Sequence, residues 1–161
     1  MVSWGDFAAD QPGIAAGGRS LLYQHGVGLA FLATVAPDAR PRVHPVCPLL
    51  TDDGMFAFVV PSPKQRDLVR SGEYALHSFP CPDNEDAFYV TGRAGVVGDD
   101  RLRDRLARQF VLERSAIGVP EPPVDNLLFE LDLQTCVLTR TSGHGDPNPD
   151  HRIWHAPGAR S

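Results

Sequence analysis

Met55-Phe56-Ala57-Phe58-Val59-Val60-Pro61-Ser62-Pro63-Lys64-Gln65-Arg66-Asp67-Leu68 reads as a strand delivered directly into a short helix. Met55 to Val60 has the aromatic and β-branched composition of a strand. Ser62 is a good N-cap, because its hydroxyl oxygen can accept an orphan N–H of the first turn. Pro63 suits the first helical position, where φ is preset and no N–H is needed. Gln65 completes an S-x-x-Q capping box. Leu68 and Val69 are expected on the buried side, with Gly72 as the C-terminal stop. The charge is unusual. A helix N-terminus favours Asp and Glu, yet this one carries Lys64 and Arg66. Free N–H groups, the positive end of the dipole and two cations make a phosphate cradle. A solvated first turn, its basic residues pointing away, is the other reading.

Upstream, Asp52-Asp53-Gly54 marks a hairpin turn after a strand from Arg40 to Leu50. Pro41, Pro45 and Pro48 cannot donate to a ladder, which predicts an edge or a rim where pairing stops. Alternation puts Arg40, Arg42, His44 and Val46 on one face. Pro37-Asp38-Ala39 is another turn, preceded by a strand over Val27–Val35 that is apolar on both faces and so is expected to be covered. Two successive hairpins would bring Arg42 and His44 beside the strand that leads to Ser62 and Lys64. Residues 3–25 read as one or two helices, with Asp10 capping the second and Gly17-Gly18 weakening it.

Downstream, Glu73–Pro80 and Ala87–Val97 read as strands, Gly92 and Gly95 marking a bulge or a close backbone approach. Asp99-Asp100 caps a helix to about Leu112 with Leu102, Leu106 and Phe110 on its buried stripe. Its Arg101, Arg103, Arg105 and Arg108 read as a solvated face. Residues 115–125, with three prolines, form a loop. Leu127–Leu133 alternates clearly, Thr135–Thr141 follows as a separate strand, and Arg152–His155 is a short last one before a frayed tail over residues 156–161.

The chain has 161 residues and a formal net charge of −5. One domain fits that length, and the acidic balance argues against general nucleic-acid binding. Three cysteines, with no C-x-x-C spacing, suit a reducing, cytoplasmic setting. Neither a signal-peptide pattern nor a run of about 20 apolar residues occurs, so no membrane partner is expected.

The order of elements predicts a mostly β (α+β) domain, a six- to seven-stranded antiparallel barrel with short flanking helices. Its motifs resemble the pyridoxamine 5'-phosphate oxidase-like flavoproteins, which have a split β-barrel. The resemblance covers about Gly26 to Phe110. It rests on Ala33-Thr34-Val35, Arg40-Pro41-Arg42-Val43-His44-Pro45-Val46, Asp53-Gly54, Ser62-Pro63-Lys64-x-x-x-Leu68, Ala75-Leu76-His77-Ser78-Phe79-Pro80 and Val90-Thr91-Gly92-Arg93-Ala94. It implies a homodimer binding FMN at the subunit interface. Arg42, Val43 and His44 would run along the ring, Phe58 and Val59 would hold its edge, and Ser62, Lys64 and Arg66 would hold the phosphate. Arg152 and Trp154 would reach flavin or substrate from the partner chain. Leu49 and Ala87 stand where the oxidases carry a substrate-phosphate lysine and a flavin-contacting glutamine, which argues against vitamin B6 chemistry. A deazaflavin coenzyme is the alternative cofactor, with haem behind it. An oxidoreductase of a small organic substrate is the implied function; a non-catalytic flavin- or haem-binding protein is the alternative of a different class.

No catalytic triad is visible, as expected if a flavin does the chemistry. His77 reads as a core histidine and Cys81 as an idle thiol. Trp4 and Trp154 read as packing residues at a dimer seam. His144, Asp146, Asp150, His151 and His155 match no metal-site spacing.

Overall fold

The computed structural model describes Met1–Gly158. Eight strands form one antiparallel sheet: β1 (Ala30–Val35), β2 (Pro41–Val46), β3 (Leu49–Leu50), β4 (Met55–Val59), β5 (Glu73–Ser78), β6 (Ala87–Val96), β7 (Leu127–Arg140) and β8 (Asp150–His155). Seven lie in the order β2-β1-β5-β6-β7-β4-β3, and β8 pairs with the far end of β7. Four helices flank them: α1 (Trp4–Asp10), α2 (Pro12–Leu22), α3 (Pro63–Ser71) and α4 (Asp100–Glu113). The sheet curls into a split barrel. No helix among the described residues is long and apolar enough to cross a membrane.

The stretch read as one strand, Arg40–Leu50, is two. Pro45 stays in register with Phe31 and the ladder runs on to Val46; Cys47-Pro48 then carries the chain from one edge of the sheet, β2, to the opposite edge, β3. So β2 and β4 are not ladder neighbours, as two hairpins had suggested. β2 pairs with β1 alone, while β4 pairs with β3 and β7. They meet instead across the seam where the curled sheet's ends approach, and there Lys64 Nζ reaches the carbonyl of Pro45 at 3.5 Å.

Conversely, Leu127–Thr141 is a single strand over 127–140. Opposite Thr91 and Gly92 the register slips by one residue at Gln134. The inward set changes there from Phe129, Leu131 and Leu133 to Cys136 and Leu138. Gly92 permits the approach, since a Cβ on it would lie 1.8 Å from the Asp132 carbonyl oxygen.

The main core joins Leu32, Leu76, Phe88, Val90, Phe129, Leu131 and Leu133 to Trp4 and Phe7 of α1 and Leu21 and Leu22 of α2. A second cluster, Leu49, Phe56, Leu106 and Leu128, seats α4. Gly17 and Gly18 are close-packing positions, because Cβ atoms there would strike Leu138 and Phe88. Asp10 does not cap α2; Gln11 occupies that position without a side-chain bond. The Asp10 carboxylate instead accepts the buried Trp154 indole N–H at 2.7 Å. Trp4 and Trp154 are interior residues of this subunit. The tail read as frayed begins with Ala156 buried and its N–H bonded to Gln134; residues 159–161 lie outside the described residues.

β1 is covered on one face only. Ala30, Leu32 and Thr34 are buried, while Phe31 and Val35 stay open on the outer face, with Phe31 stacked on Phe79 at 4.5 Å. His77 is also on that outer face rather than in the core, since Tyr74, Leu76 and Ser78 take the inward positions of β5.

Candidate functional site

α3 begins as its sequence dictates. Ser62 Oγ accepts the Gln65 N–H at 3.3 Å, Pro63 is the first helical residue, and Gly72 ends the helix at φ +72°. The reciprocal half of the capping box is missing. The Gln65 side-chain amide donates to the Val59 and Asp125 carbonyls instead, at 2.8 and 3.1 Å. Val69 is 58% exposed, and its expected place is taken by Asp67, buried to 3%. The Asp67 carboxylate accepts the Thr34 hydroxyl at 3.0 Å and lies 3.2 Å from Arg42 Nε. A buried carboxylate is tolerable only when so paired. This one locks α3 onto β1 and β2.

An apolar cleft of about 340 Å³ opens along the seam. Pro45, Val46 and Cys47 form one wall, Phe58 and Val60 another, and Phe110 of α4 the floor. The segment from Val119 to Pro123, with Asn126, closes one side, and Lys64 stands at the rim. Arg103, read as part of a solvated face, braces that segment. Its guanidinium donates to the Asn126 and Pro123 carbonyls at 2.8 and 2.9 Å and lies over the Phe58 ring at 5.1 Å. Proline-rich loops have few N–H groups to satisfy their own carbonyls, so an outside donor fixes their shape.

Comparison with models of protein families found no match to this chain, and neither did comparison with the sequences of curated proteins. Comparison with solved structures found many similar folds. A haem-binding protein from Mycobacterium smegmatis is similar at a TM-score of 0.62 and 17% identity, over 85% of this chain; the chain spans 57% of that protein's length. A candidate pyridoxamine 5'-phosphate oxidase from Listeria innocua is similar at 0.59 and 14%, over 74% of this chain and 93% of the other. An F420 reductase is similar at 0.57 and 19%, over 73% and 94%. The fold is the split barrel of the pyridoxamine 5'-phosphate oxidase-like proteins. At such identities the likeness concerns the fold.

Within that split barrel the expected site residues separate into groups. Phe58 and Lys64 line the cleft. Ser62 is beside it, but its hydroxyl already donates to the Val60 carbonyl at 2.8 Å while capping α3. Val59 is buried in the core and offers the site only backbone. Arg42 and His44 share the inward face of β2, and the His44 Nε2 is buried without a hydrogen-bond partner. Val43 faces outward and is 63% exposed. Arg66 lies on the other side of α3, in a second cleft. Arg152 is exposed on β8 and paired with Asp150 at 3.2 Å. Trp154, expected to reach toward a partner's site, turns inward against Phe7, because its buried indole N–H needs the Asp10 acceptor.

Sequence reasoning missed Cys47, Phe110 and the 119–123 wall. The signal for the wall was the run of prolines at 120, 122 and 123, which forbids regular structure and leaves carbonyls to be bonded from outside. Cys81 is a free, partly buried thiol whose pKa burial and the Asp86 carboxylate raise above the usual value.

Proposed function

We propose that the protein binds FMN in the seam cleft and uses it to oxidise or reduce a small organic substrate. The observation that carries this reading is Lys64. It stands at the mouth of an apolar slot, on the first turn of a helix, and makes no ion pair among the described residues. A cation with no carboxylate of its own at a helix N-terminus suits a phosphate ester. The residues present fit the group. Phe58, Val46, Phe110 and Pro45 supply apolar walls for an aromatic ring, and Lys64 supplies the charge for its tail.

When bound, a flavin supplies the hydride and electron transfer. The chain's own contribution is binding and orientation. Lys64 holds the anionic end. Arg103 keeps the 119–126 segment against the cleft, which excludes water from the ring's side. Haem fits less well, because no histidine lines the cleft; Cys47 is its one strong haem-ligand side chain.

A homodimer belongs to the same proposal. Phe31, Val35 and Val43 present an apolar patch on the outer face of β1 and β2, a face suited to a second copy. Cytoplasmic location remains an expectation from the cysteines. The test is titration of purified protein with FMN, a deazaflavin coenzyme and haem, followed by absorbance and fluorescence, with mass in solution measured by light scattering. FMN binding at micromolar or tighter Kd to a dimer is expected. Tighter binding of the deazaflavin would move the assignment to that coenzyme. Binding of haem alone would overturn it.

A further inference from the structure

Both aromatic walls of the seam cleft are backed by a cation. The Arg103 guanidinium lies over the Phe58 ring at 5.1 Å, and that of Arg114 over the Phe110 ring at 4.1 Å. The two rings meet edge to face, with centroids 6.0 Å apart. Phe58 and Phe110 line the cleft and neither arginine does, so each cation acts on the space through a ring. A cation on one side of an aromatic ring draws electron density toward itself, and the other side becomes a better neighbour for negative charge. The spacing on α4 produces the arrangement, because Arg103, Phe110 and Arg114 stand at i, i+7 and i+11 and so share one helix face.

The charge balance points the same way. Arg103 is half-buried and makes no ion pair among the described residues; its recorded acceptors are the Asn126 and Pro123 carbonyls. Arg114 is 4% exposed and donates to the Phe110 and Gly28 carbonyls. Its counter-charge, Glu113, lies 3.5 Å away, but the carboxylate is held by the Tyr23 hydroxyl at 3.2 Å and the Gln109 amide at 2.8 Å, groups outside the cleft. The pair therefore presents its positive member to Phe110. With Lys64 at the rim, three cations surround an apolar slot whose own lining holds one carboxylate, the exposed Glu121.

We propose that Arg103 and Arg114 make the seam cleft discriminate between the charge states of the ring it holds, favouring a reduced, anionic flavin over the oxidised, neutral one. The inference rests on the flavin reading above and adds the direction in which the site biases electron flow. When a donor's C–H bond breaks and its proton and electron pair form an N–H bond on the ring, the ring gains one negative charge and the donor leaves oxidised. Lys64 meets a phosphate that is the same in both states, so it contributes uniform binding; the two arginines contribute binding that differs between the states. A site so biased accepts hydride readily and yields it only to good acceptors.

The experiment measures Kd for oxidised FMN and, without oxygen, for FMN reduced by dithionite, on wild type, Arg103→Gln, Arg103→Lys and Lys64→Gln, with thermal melting to confirm folding. The midpoint potential of bound FMN, titrated against a redox dye, is the second readout. Wild type is expected to hold the reduced form about tenfold more tightly, the size of two unit charges acting across about 9 Å of protein, and to raise the potential above that of free FMN. Arg103→Gln should lower the ratio about threefold and lower the potential. Arg103→Lys keeps the charge and loses the two-pronged brace on the loop, so it should weaken both forms alike and keep the ratio. Lys64→Gln should also weaken both forms and keep the ratio. Equal affinity of wild type for the two forms, a ratio unchanged in Arg103→Gln, or one lost equally in Arg103→Lys overturns the proposal while the seam cleft stands. Failure of wild type to bind either form overturns both readings.

Discussion

Replacing Asp67 with Ala tests how α3 is held against the sheet. The carboxylate is 3% exposed, accepts the Thr34 hydroxyl at 3.0 Å and lies 3.2 Å from Arg42 Nε. Thr34 is itself buried to 1%, so its hydroxyl would be left without an acceptor, at a cost of about 1–2 kcal/mol. Arg42 keeps 39% of its side chain in solvent, so its loss is only about 1 kcal/mol after screening. The sum, about 2–3 kcal/mol, corresponds to a melting point about 5–10 °C lower for a domain of this size. Urea denaturation with an unchanged m-value is the assay. Asp67→Asn keeps an acceptor for Thr34 and should lose about 1 kcal/mol. The decisive variant is Thr34→Val in the Asp67→Ala background. It removes the orphaned hydroxyl and should recover about 1 kcal/mol. An Asp67→Ala protein as stable as wild type, or a double variant no better than the single, would refute the account of a buried carboxylate anchoring the helix.

Lys64→Gln should weaken FMN binding about tenfold without altering stability, since Lys64 Nζ reaches only the Pro45 carbonyl, at 3.5 Å, among the described residues; fluorescence titration and a melting curve check both halves. Gly92→Ala should cost about 3 kcal/mol or more, because the new Cβ has no room beside the Asp132 carbonyl; soluble yield and melting temperature report it. Cys47, in the cleft, should alkylate first and be protected by FMN. Cys81, whose thiol pKa is raised by burial and Asp86, should be slower, and buried Cys136 should react on unfolding only; peptide mass mapping reads the order. Burial, and next to it the Glu113 carboxylate, push Tyr23 up to about 12 against the opposing Leu50 N–H bond. Its folded value exceeds its unfolded one, so its contribution is intact below about pH 10 and is lost as pH rises toward 12. Tyr23→Phe should flatten that alkaline fall in denaturation measured at pH 9 and 11.

Much of the barrel was legible because its rules are local. Apolar and β-branched runs bounded by turn residues located β1, β4, β5 and β6, and the caps at Ser62, Gly72 and Asp99 were readable as such. The failures share a cause, in that a partner distant in sequence decides the outcome. Proline can say that β2 stops; it cannot say that the next two residues cross to the other edge of the sheet. The bulge at Gln134 leaves alternation intact on both sides, so one bent strand looks like two. Asp67 and Arg103 are charged residues on amphipathic helices, for which solvent is the default. Their true partners, Thr34 and the carbonyls of Pro123 and Asn126, lie 33, 20 and 23 residues away. That Lys64 and Phe58 would line one cleft was readable, whereas the division of the basic residues between two clefts needed the packing of α3 against β2.

Only Cys47 and Pro48 separate β2 from β3, so the first and last members of the ladder are covalent near-neighbours. Bringing the margins of the sheet together therefore requires very little extra ordering of the chain. The gap beside them is held at a set width by the polypeptide itself. A molecule settling there meets a ready-made berth, and fast, single-phase association with almost no change in the protein's circular dichroism is the behaviour such a tether dictates.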